Sequence, residues 1–411
     1  MKVKIISRNP NTYQRETTAQ RNKMVRNFNL PKDPFRAQTE YTRALNATKL
    51  NRVFAKPFVA SLDGHLEGVN VLAKHSKRPS TIVSGARDGQ VKIWNLPTRS
   101  CVGTAQAHQG LLNAISVDQE QGDHFVTVGQ DCQLKYWRIP VSETKKMAPV
   151  HNISLNGIAY GASHLAHSSD FVTCGDDISV WKVQRDTPLK TYSLGHDTIH
   201  TIKANPIEES VMVGAMADRS IFTLDTRQDV PLQKVTMKLR PNAISWNPME
   251  AYTFTVASED YTLYTFDLRN FGAPVQAHTG FTSAVTDVDY SPTGQEFVAG
   301  SFDRTVRIYN AREQGSRDVY HTKRMNVVLS VLWSSDSKFV LSGSNEMNVR
   351  VWKANSAEKL GPLTKREKDA FAYNEKLRET YKHHPEIRKI ERHRHVPKHV
   401  HRFILILNCE T

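Results

Sequence analysis

"SGARDGQVKIWNL", residues 84–96, reads as a tight turn feeding a strand. Arg87-Asp88-Gly89 make the turn, Val91 and Ile93 alternate with Lys92, and Trp94 closes the run. Alternation at period two marks a half-buried strand. One such stretch says little, but this one recurs. "VGQDCQLKYWRI" (128–139) sets Asp131 six residues before Trp137, as Asp88 stands before Trp94. "GAMADRSIFTLDTR" (Asp218, Leu224), "ASEDYTLYTFDLR" (Asp260, Phe266), "GSFDRTVRIYN" (Asp303, Tyr309) and "GSNEMNVRVWK" (Glu346, Trp352) follow the pattern. "TCGDDISVWKV", ending at Trp181, is a weaker copy with a turn one residue shorter. The closing residues 94, 137, 181, 224, 266, 309 and 352 are spaced by 43, 44, 43, 42, 43 and 43.

A fixed period near 43 with a turn acid and a closing aromatic is the pattern of WD-repeat blades, each a small antiparallel sheet that must pack on its neighbours. The sequence therefore predicts an all-β fold: a seven-bladed WD-repeat β-propeller. A second signal is a histidine 22 to 25 residues ahead of the turn acid, at His65, His108, His196 and His278, facing Asp88, Asp131, Asp218 and Asp303. In such a blade the imidazole reaches the carboxylate, and a strand hydroxyl and the Trp94 or Trp137 N–H can join. A His–Asp pair can also be a general base with its orienter. Repeated blade after blade it reads as structural, and no nucleophile elbow, phosphate loop or H-E-x-x-H site accompanies it. The chain is not expected to be an enzyme, to need a cofactor, or to take a small-molecule substrate.

Ring closure explains the segment before the first repeat. The last unit supplies three strands and ends at Trp352, so its fourth must come from elsewhere. Phe58–Leu62, just ahead of Gly64-His65, occupies the place of an outer strand. Residues 57–355 are thus the propeller, 1–56 an N-terminal arm and 356–411 a C-terminal extension. In the extension Ala370, Tyr373, Leu377 and Tyr381 form a helical stripe, Thr364 and Glu367 a capping box, and His384-Pro385 a stop.

Charge separates these parts. The chain carries a formal +14, of which residues 1–56 hold +10, 57–360 hold −1 and 361–411 hold +5. Basic ends on a neutral body suit a polyanionic partner. The candidate contacts are Arg8, Arg15, Arg21, Lys23, Arg26, Arg43, Lys49 and Arg52 in the first arm, and Arg388, Lys389, Arg392, Arg394 and Lys398 in the second. His393, His395, His399 and His401 could suggest a metal, but interleaved arginines disfavour a dication, and no metal site is expected. Cys101, Cys132, Cys174 and Cys409 lack C-x-x-C spacing, and there is no apolar leader or membrane-length run. An intracellular protein without a membrane partner is expected.

Several stretches together resemble the SOF family of nucleolar WD-repeat proteins. They are "RALNATKLNRVFAKPF…LDGH", "NPMEAYTFTVASEDYTLYTFDLRN", "DVDYSPTGQEFV…SFDRTVRIY", "YHTKRMNVV" and "PEIRKIERHRHVPK". The resemblance runs from about residue 1 to Lys398. It implies a component of the small-subunit processome, bound to the U-three small nucleolar ribonucleoprotein and to precursor ribosomal RNA on its way to 18S, in the nucleolus of the nucleus. It also implies a substrate receptor for cullin–RING ubiquitin ligases. For that role the D-x-R ends of two consecutive blades, Asp225/Arg227 and Asp267/Arg269, are the candidate adaptor contacts. Two departures stand out. Family members continue past "RHRHVPK" into a long basic helical tail, whereas this sequence runs into "HVHRFILILNCET". Unit four closes on Leu224 where an aromatic is usual, which is expected to soften that blade.

Overall fold

The computed structural model describes residues 35–140, 147–183, 185–195, 197–228 and 230–402. It divides into two compact units, one of residues up to Val53 with Gly361–Arg392, the other of Phe54–Leu360 with the residues from His393 on.

The larger unit is seven four-stranded antiparallel sheets. Blades 1 to 6 span Val69–Gln106, Leu112–Ser154, Gly161–Tyr192, Ile199–Thr236, Pro241–His278 and Val285–Tyr320. Blade 7 takes three strands from Val328–Lys353 and its fourth from Phe58–Leu62. We call the strands of a blade a to d, in chain order for blades 1 to 6, with Phe58–Leu62 as strand d of blade 7. The closing strand pairs Phe58 with Trp352, Ala60 with Val351, Ser61 with Arg350 and Leu62 with Val349. Lys353 N–H donates to the Pro57 carbonyl at 2.8 Å, and the Phe58 and Trp352 rings meet edge to face. The missing strand is where ring closure requires it.

Burial follows position in the sheet. Strand b is covered on both faces by neighbouring blades, so "TIVSGA" and "EFVAGS" are buried at every position but the first. Strand d is half wet, as in "QKVT" of blade 4. A glycine near the end of strand b lets the next layer approach. A Cβ at Gly129 would stand 2.5 Å from the His108 ring, and one at Gly300 2.7 Å from Val328. Leu224, in place of an aromatic, is fully buried among Met212, Met216 and Phe222, so apolar contacts fill the space an aromatic would take.

Adjacent blades are joined by side chains of strand a. Asn70, Asn113 and Asn242 donate to the carbonyls of Leu112, Ala159 and Val285 at 2.8–2.9 Å, and Thr286 to that of Val328 at 2.9 Å. Blade 6 adds two carboxylates: Asp287 accepts from Val331 N–H and Asp289 from Trp333 N–H, both at 2.8 Å. Lys74 of blade 1 reaches Asp289 at 3.2 Å, linking the two blades that flank the closing one.

These buried groups give the fold a definite pH response. Burial lifts the fully enclosed Asp287 carboxyl to about 6, against 3.8 unfolded. A raised carboxylate is destabilising where it must ionise, so its cost is absent below about pH 4 and complete above about pH 6. The gap corresponds to about 3 kcal/mol. Asp287→Asn loses about 1 kcal/mol because its amide N–H would face the Val288 N–H. Denaturant melts should therefore show the variant about 2 kcal/mol more stable at pH 7.5, with the gain gone by pH 4.5. Burial acts oppositely on His65 and His164, pushing both down to about 4 from 6.5. Their contribution is present above about pH 6.5 and is lost as pH falls toward 4.

The smaller unit brings both ends of the sequence together. Helices α1 (Arg36–Val53), α2 (Lys365–Thr380) and α3 (Pro385–Arg392) bury Ala44, Leu377 and Ile387 against Tyr41, Leu45 and Tyr381. Tyr41 Oη donates to Glu386 at 2.6 Å. Thr364 and Glu367 form the capping box of α2. Only part of the expected stripe is used, since Leu377 is buried whereas Ala370 and Tyr373 stay exposed.

Candidate interaction site

The turn acids open one face of the propeller, and the structure sorts them blade by blade. In blade 2 the network is complete. His108 Nδ1 meets Asp131 at 2.8 Å, its Nε2 meets the Thr127 hydroxyl at 2.8 Å, and Trp137 Nε1–H donates to that hydroxyl at 2.9 Å. In blade 1 His65 Nε2 and Trp94 Nε1 share Ser84 Oγ at 2.6 and 2.7 Å, but Asp88 accepts from the Gln90 N–H instead of from His65. Asp218 of blade 4 takes Lys234 at 2.7 Å and the Ser220 N–H; His196 lies outside the described residues.

His278 corrects the expectation for blade 6, because it is not the partner of Asp303. It sits on strand d of blade 5, with Nδ1 at 2.7 Å from the Glu313 carbonyl and Nε2 at 3.1 Å from Thr265 Oγ1. The cause is loop length. His65 and His108 precede strand a by four residues, His278 by seven, which holds its ring one layer back. Asp303 is instead served by the Thr305 N–H and hydroxyl, with Arg307 at 3.7 Å, both side chains of the ion pair nearly fully buried. The same solution recurs four residues past the acid at Glu346–Arg350 and at Asp260–Tyr264. The i, i+4 partner is legible in the sequence as the last residue of "DYTLY", "DRTVR" and "EMNVR".

With its acids bonded inward and its histidines held neutral by burial, this constellation is a support. Among the described residues no group of three or more His, Cys, Asp or Glu could hold a metal, and no helix is long and apolar enough to cross a membrane.

The opposite face carries the a–b and c–d turns. Arg269 is held by Asp267 through Nε (3.1 Å) and Nη2 (2.7 Å), and its guanidinium lies 3.8 Å from the centre of the Tyr252 ring. The guanidinium keeps the Asp267 carboxyl below the usual carboxylate range. The arginine side chain remains 67% exposed, so it is both oriented and accessible. Arg227 follows Asp225 in the same turn of blade 4, its N–H on Asp225 at 3.0 Å and its side chain without an ion pair among the described residues. Around these arginines the a–b and c–d turns of blades 3 to 5 expose Leu189, Ile207, Val230, Leu232, Met249 and Val275. Exposed apolar groups clustered on one side of a rigid body mark an interaction surface. Sequence reading missed them because they lie in turns of irregular length.

The arm residues separate into two groups. Arg8, Arg15, Arg21, Lys23 and Arg26 lie outside the described residues. Arg43 donates to Tyr373 Oη at 3.3 Å and Arg52 to the Glu391 carbonyl at 2.8 Å within the helical unit. Arg394 is largely covered, 4.0 Å from Asp318 in the propeller unit, where His395 meets His321 and His399 the Asp303 carbonyl. Lys49, Arg388, Lys389, Arg392 and Lys398 are exposed, with no ion pair among the described residues.

A closed ring of seven sheets with two dissimilar faces defines a WD-repeat propeller, a class of binding scaffold. The WD domain, G-beta repeat family matches residues 56–95, 272–310 and 319–353, and the Sof1-like domain family matches 354–408. "DDB1- and CUL4-associated factor 13" of Danio rerio is 50% identical over 97% of this chain and 90% of its own length, and that of Homo sapiens 49% over 98% and 90%. "Protein SOF1" of Saccharomyces cerevisiae is 38% identical, covering 100% of this chain and 88% of its own. The chain belongs to the SOF family of WD-repeat proteins. The crystal structure of the WD40 beta propeller domain of Doa1 aligns with a TM-score of 0.62 over 72% of this chain and 96% of that one, at 20% identity, a likeness of fold alone.

Proposed function

We propose that this protein is a non-enzymatic scaffold of the small-subunit processome, acting in the nucleolus in precursor ribosomal RNA processing toward 18S. The observation that carries the reading is membership of the SOF family along the whole chain. The charge partition supports it, since the cations that a ribonucleoprotein partner would neutralise are concentrated on the ends. Crosslinking in nuclear extract tests it: protein–RNA adducts should map to residues 1–56 and 385–398. Adducts confined to proteins unrelated to precursor ribosomes would sink it.

A second, compatible reading is a substrate receptor of a cullin–RING ligase. It is favoured by the name of the vertebrate relatives and by the oriented Arg269 in its apolar surround. Buried arginine anchors rank among interface hot spots, with truncation costing about 2 kcal/mol or more. On immobilised DDB1, Arg269→Ala should weaken binding at least tenfold, and adding Arg227→Ala should weaken it further. Unchanged binding of the double variant would exclude this face.

A further inference from the structure

In six of the seven blades, all but the short-turned blade 3, the b–c turn places the residue after the turn acid at positive φ. Blade 1 uses Gly89 (φ 77°), the residue type suited to that conformation. Five blades do not: Cys132 (φ 55°) holds the equivalent tip in blade 2, Met347 (φ 69°) in blade 7, and Arg219 (φ 68°), Tyr261 (φ 67°) and Arg304 (φ 63°) in blades 4, 5 and 6. A side chain there strains the backbone where glycine would not. In blades 4 to 6 the tip residues are two arginines and a tyrosine, and all three are exposed.

Their neighbours have the same character. The d–a loops of this face add Lys238 and Arg240 between blades 4 and 5, and Lys323 and Arg324 between blades 6 and 7. Backbone bonds tie these loops to the tips, Met237 N–H to the Arg219 carbonyl and Glu259 N–H to that of Arg240. None of the six cations has an ion pair among the described residues. The turn acids offset them only in part: Asp218 and Asp303 are paired with Lys234 and Arg307, whereas Asp260 accepts from the neutral Tyr264 hydroxyl and keeps its charge. Glu259, and Asp197 in the d–a loop that enters blade 4, are further acids of the sector without an ion pair among the described residues, so six unpaired cations face three acids. Next to Arg304, Phe302 is 48% exposed, and Tyr261 is 43% exposed. Phe302, Arg304 and His399 line a cleft of about 480 Å³ with Thr282, Ser283 and the Arg307-paired Asp303, within the size range of ligand pockets.

We infer that the b–c face of blades 4 to 6 is a binding surface for single-stranded RNA, with Arg219 and Arg304 on phosphates and Tyr261 and Phe302 stacking on bases. Guanidinium groups alternating with accessible aromatic faces are the recurrent means of holding an unpaired strand. The inference rests on the ribonucleoprotein reading but assigns RNA to a different part of the molecule from the arms. It also revises the view of the propeller as neutral, since the balance of the whole body conceals a basic sector.

Full-length protein is titrated into a fluorescein-labelled 12-nucleotide single-stranded RNA across a salt series, with anisotropy as the readout. The variant Arg219→Gly/Tyr261→Gly/Arg304→Gly relieves positive-φ strain, so its thermal midpoint should equal or exceed the wild type's. Its RNA affinity should fall at least tenfold, and the salt slope should drop by about 1.4, at about 0.7 per lost phosphate contact on a single strand. Tyr261→Gly alone should weaken binding without changing the slope. RNA binding by the triple variant with unchanged affinity and slope overturns the inference. If the arm variant Arg15→Ala/Arg21→Ala/Lys23→Ala/Arg26→Ala then abolishes binding, the arm reading survives without this surface. A wild type that binds no RNA defeats both. A labelled Glu/Asp-rich peptide bound more tightly than the RNA, and released by the triple variant, would make the face a peptide dock and overturn the RNA assignment.

Discussion

Deleting residues 1–62 is expected to leave a chain that does not fold as a closed ring at 25 °C. The deletion removes strand d of blade 7 and exposes the edge of its strand c, Val349–Lys353. Burial of Leu62 and Ala60 is lost, with the Phe58–Trp352 contact and the Pro57 carbonyl that receives Lys353 N–H. A buried leucine contributes about 2 kcal/mol and each ladder hydrogen bond about 1 kcal/mol net. The loss is therefore about 6 kcal/mol or more, comparable with the whole stability of an ordinary domain. An unpaired edge next to a buried Trp352 also invites association. Size-exclusion chromatography should show aggregate, and calorimetry no cooperative transition. Deleting only 1–45 should leave the propeller transition within a few degrees of the full chain, because the strand and its flank remain. Leu62→Asp in the full chain provides a check by point substitution and should cost about 3 kcal/mol or more. A monomeric, cooperatively melting 1–62 deletion would show that the ring closes without this strand.

Closure was legible in sequence for a simple reason. A fixed period counts strands, and a count that comes out one short demands a donor. Strand order, the blade boundaries and the complete network around His108 follow from the same local regularity. What escaped was set by loop length and by partners across blades. His278 matches the histidine pattern in composition, yet three extra residues before strand a place it in another layer. The inter-blade bonds of Asn70, Asn113 and Asn242 each span 42 to 46 residues. The asparagines stand at the repeat spacing, but one amide in a strand does not by itself show that its partner is a carbonyl of the next blade. The helical unit joins residues more than 320 apart in sequence, such as Tyr41 and Glu386, and no local rule links them.

That pairing changes how the basic ends should be read. Arg43 and Arg52 already have partners in the helical unit, and Arg394 lies against Asp318 of the propeller unit, so the second arm offers Arg388, Lys389, Arg392 and Lys398. Even with Arg43 and Arg52 set aside from the +10 of residues 1–56, most of the unspent charge falls on the first arm. Replacing Arg15, Arg21, Lys23 and Arg26 by Ala removes four candidate phosphate contacts. Each contact to a single strand contributes about 0.7 to the slope of log affinity against log salt, so the slope should fall by about 3. Between 50 and 200 mM salt the wild type should then lose about 50-fold more affinity than the variant. In gradient sedimentation of nuclear extract, the variant should leave the large pre-ribosomal particles at lower salt than the wild type, with the thermal midpoint of its propeller unchanged. Normal co-sedimentation across the series would remove the arm as anchor. Retention would then rest on the propeller, where the D-x-R turns and the b–c tips on opposite faces provide separable variants to find which side holds the particle.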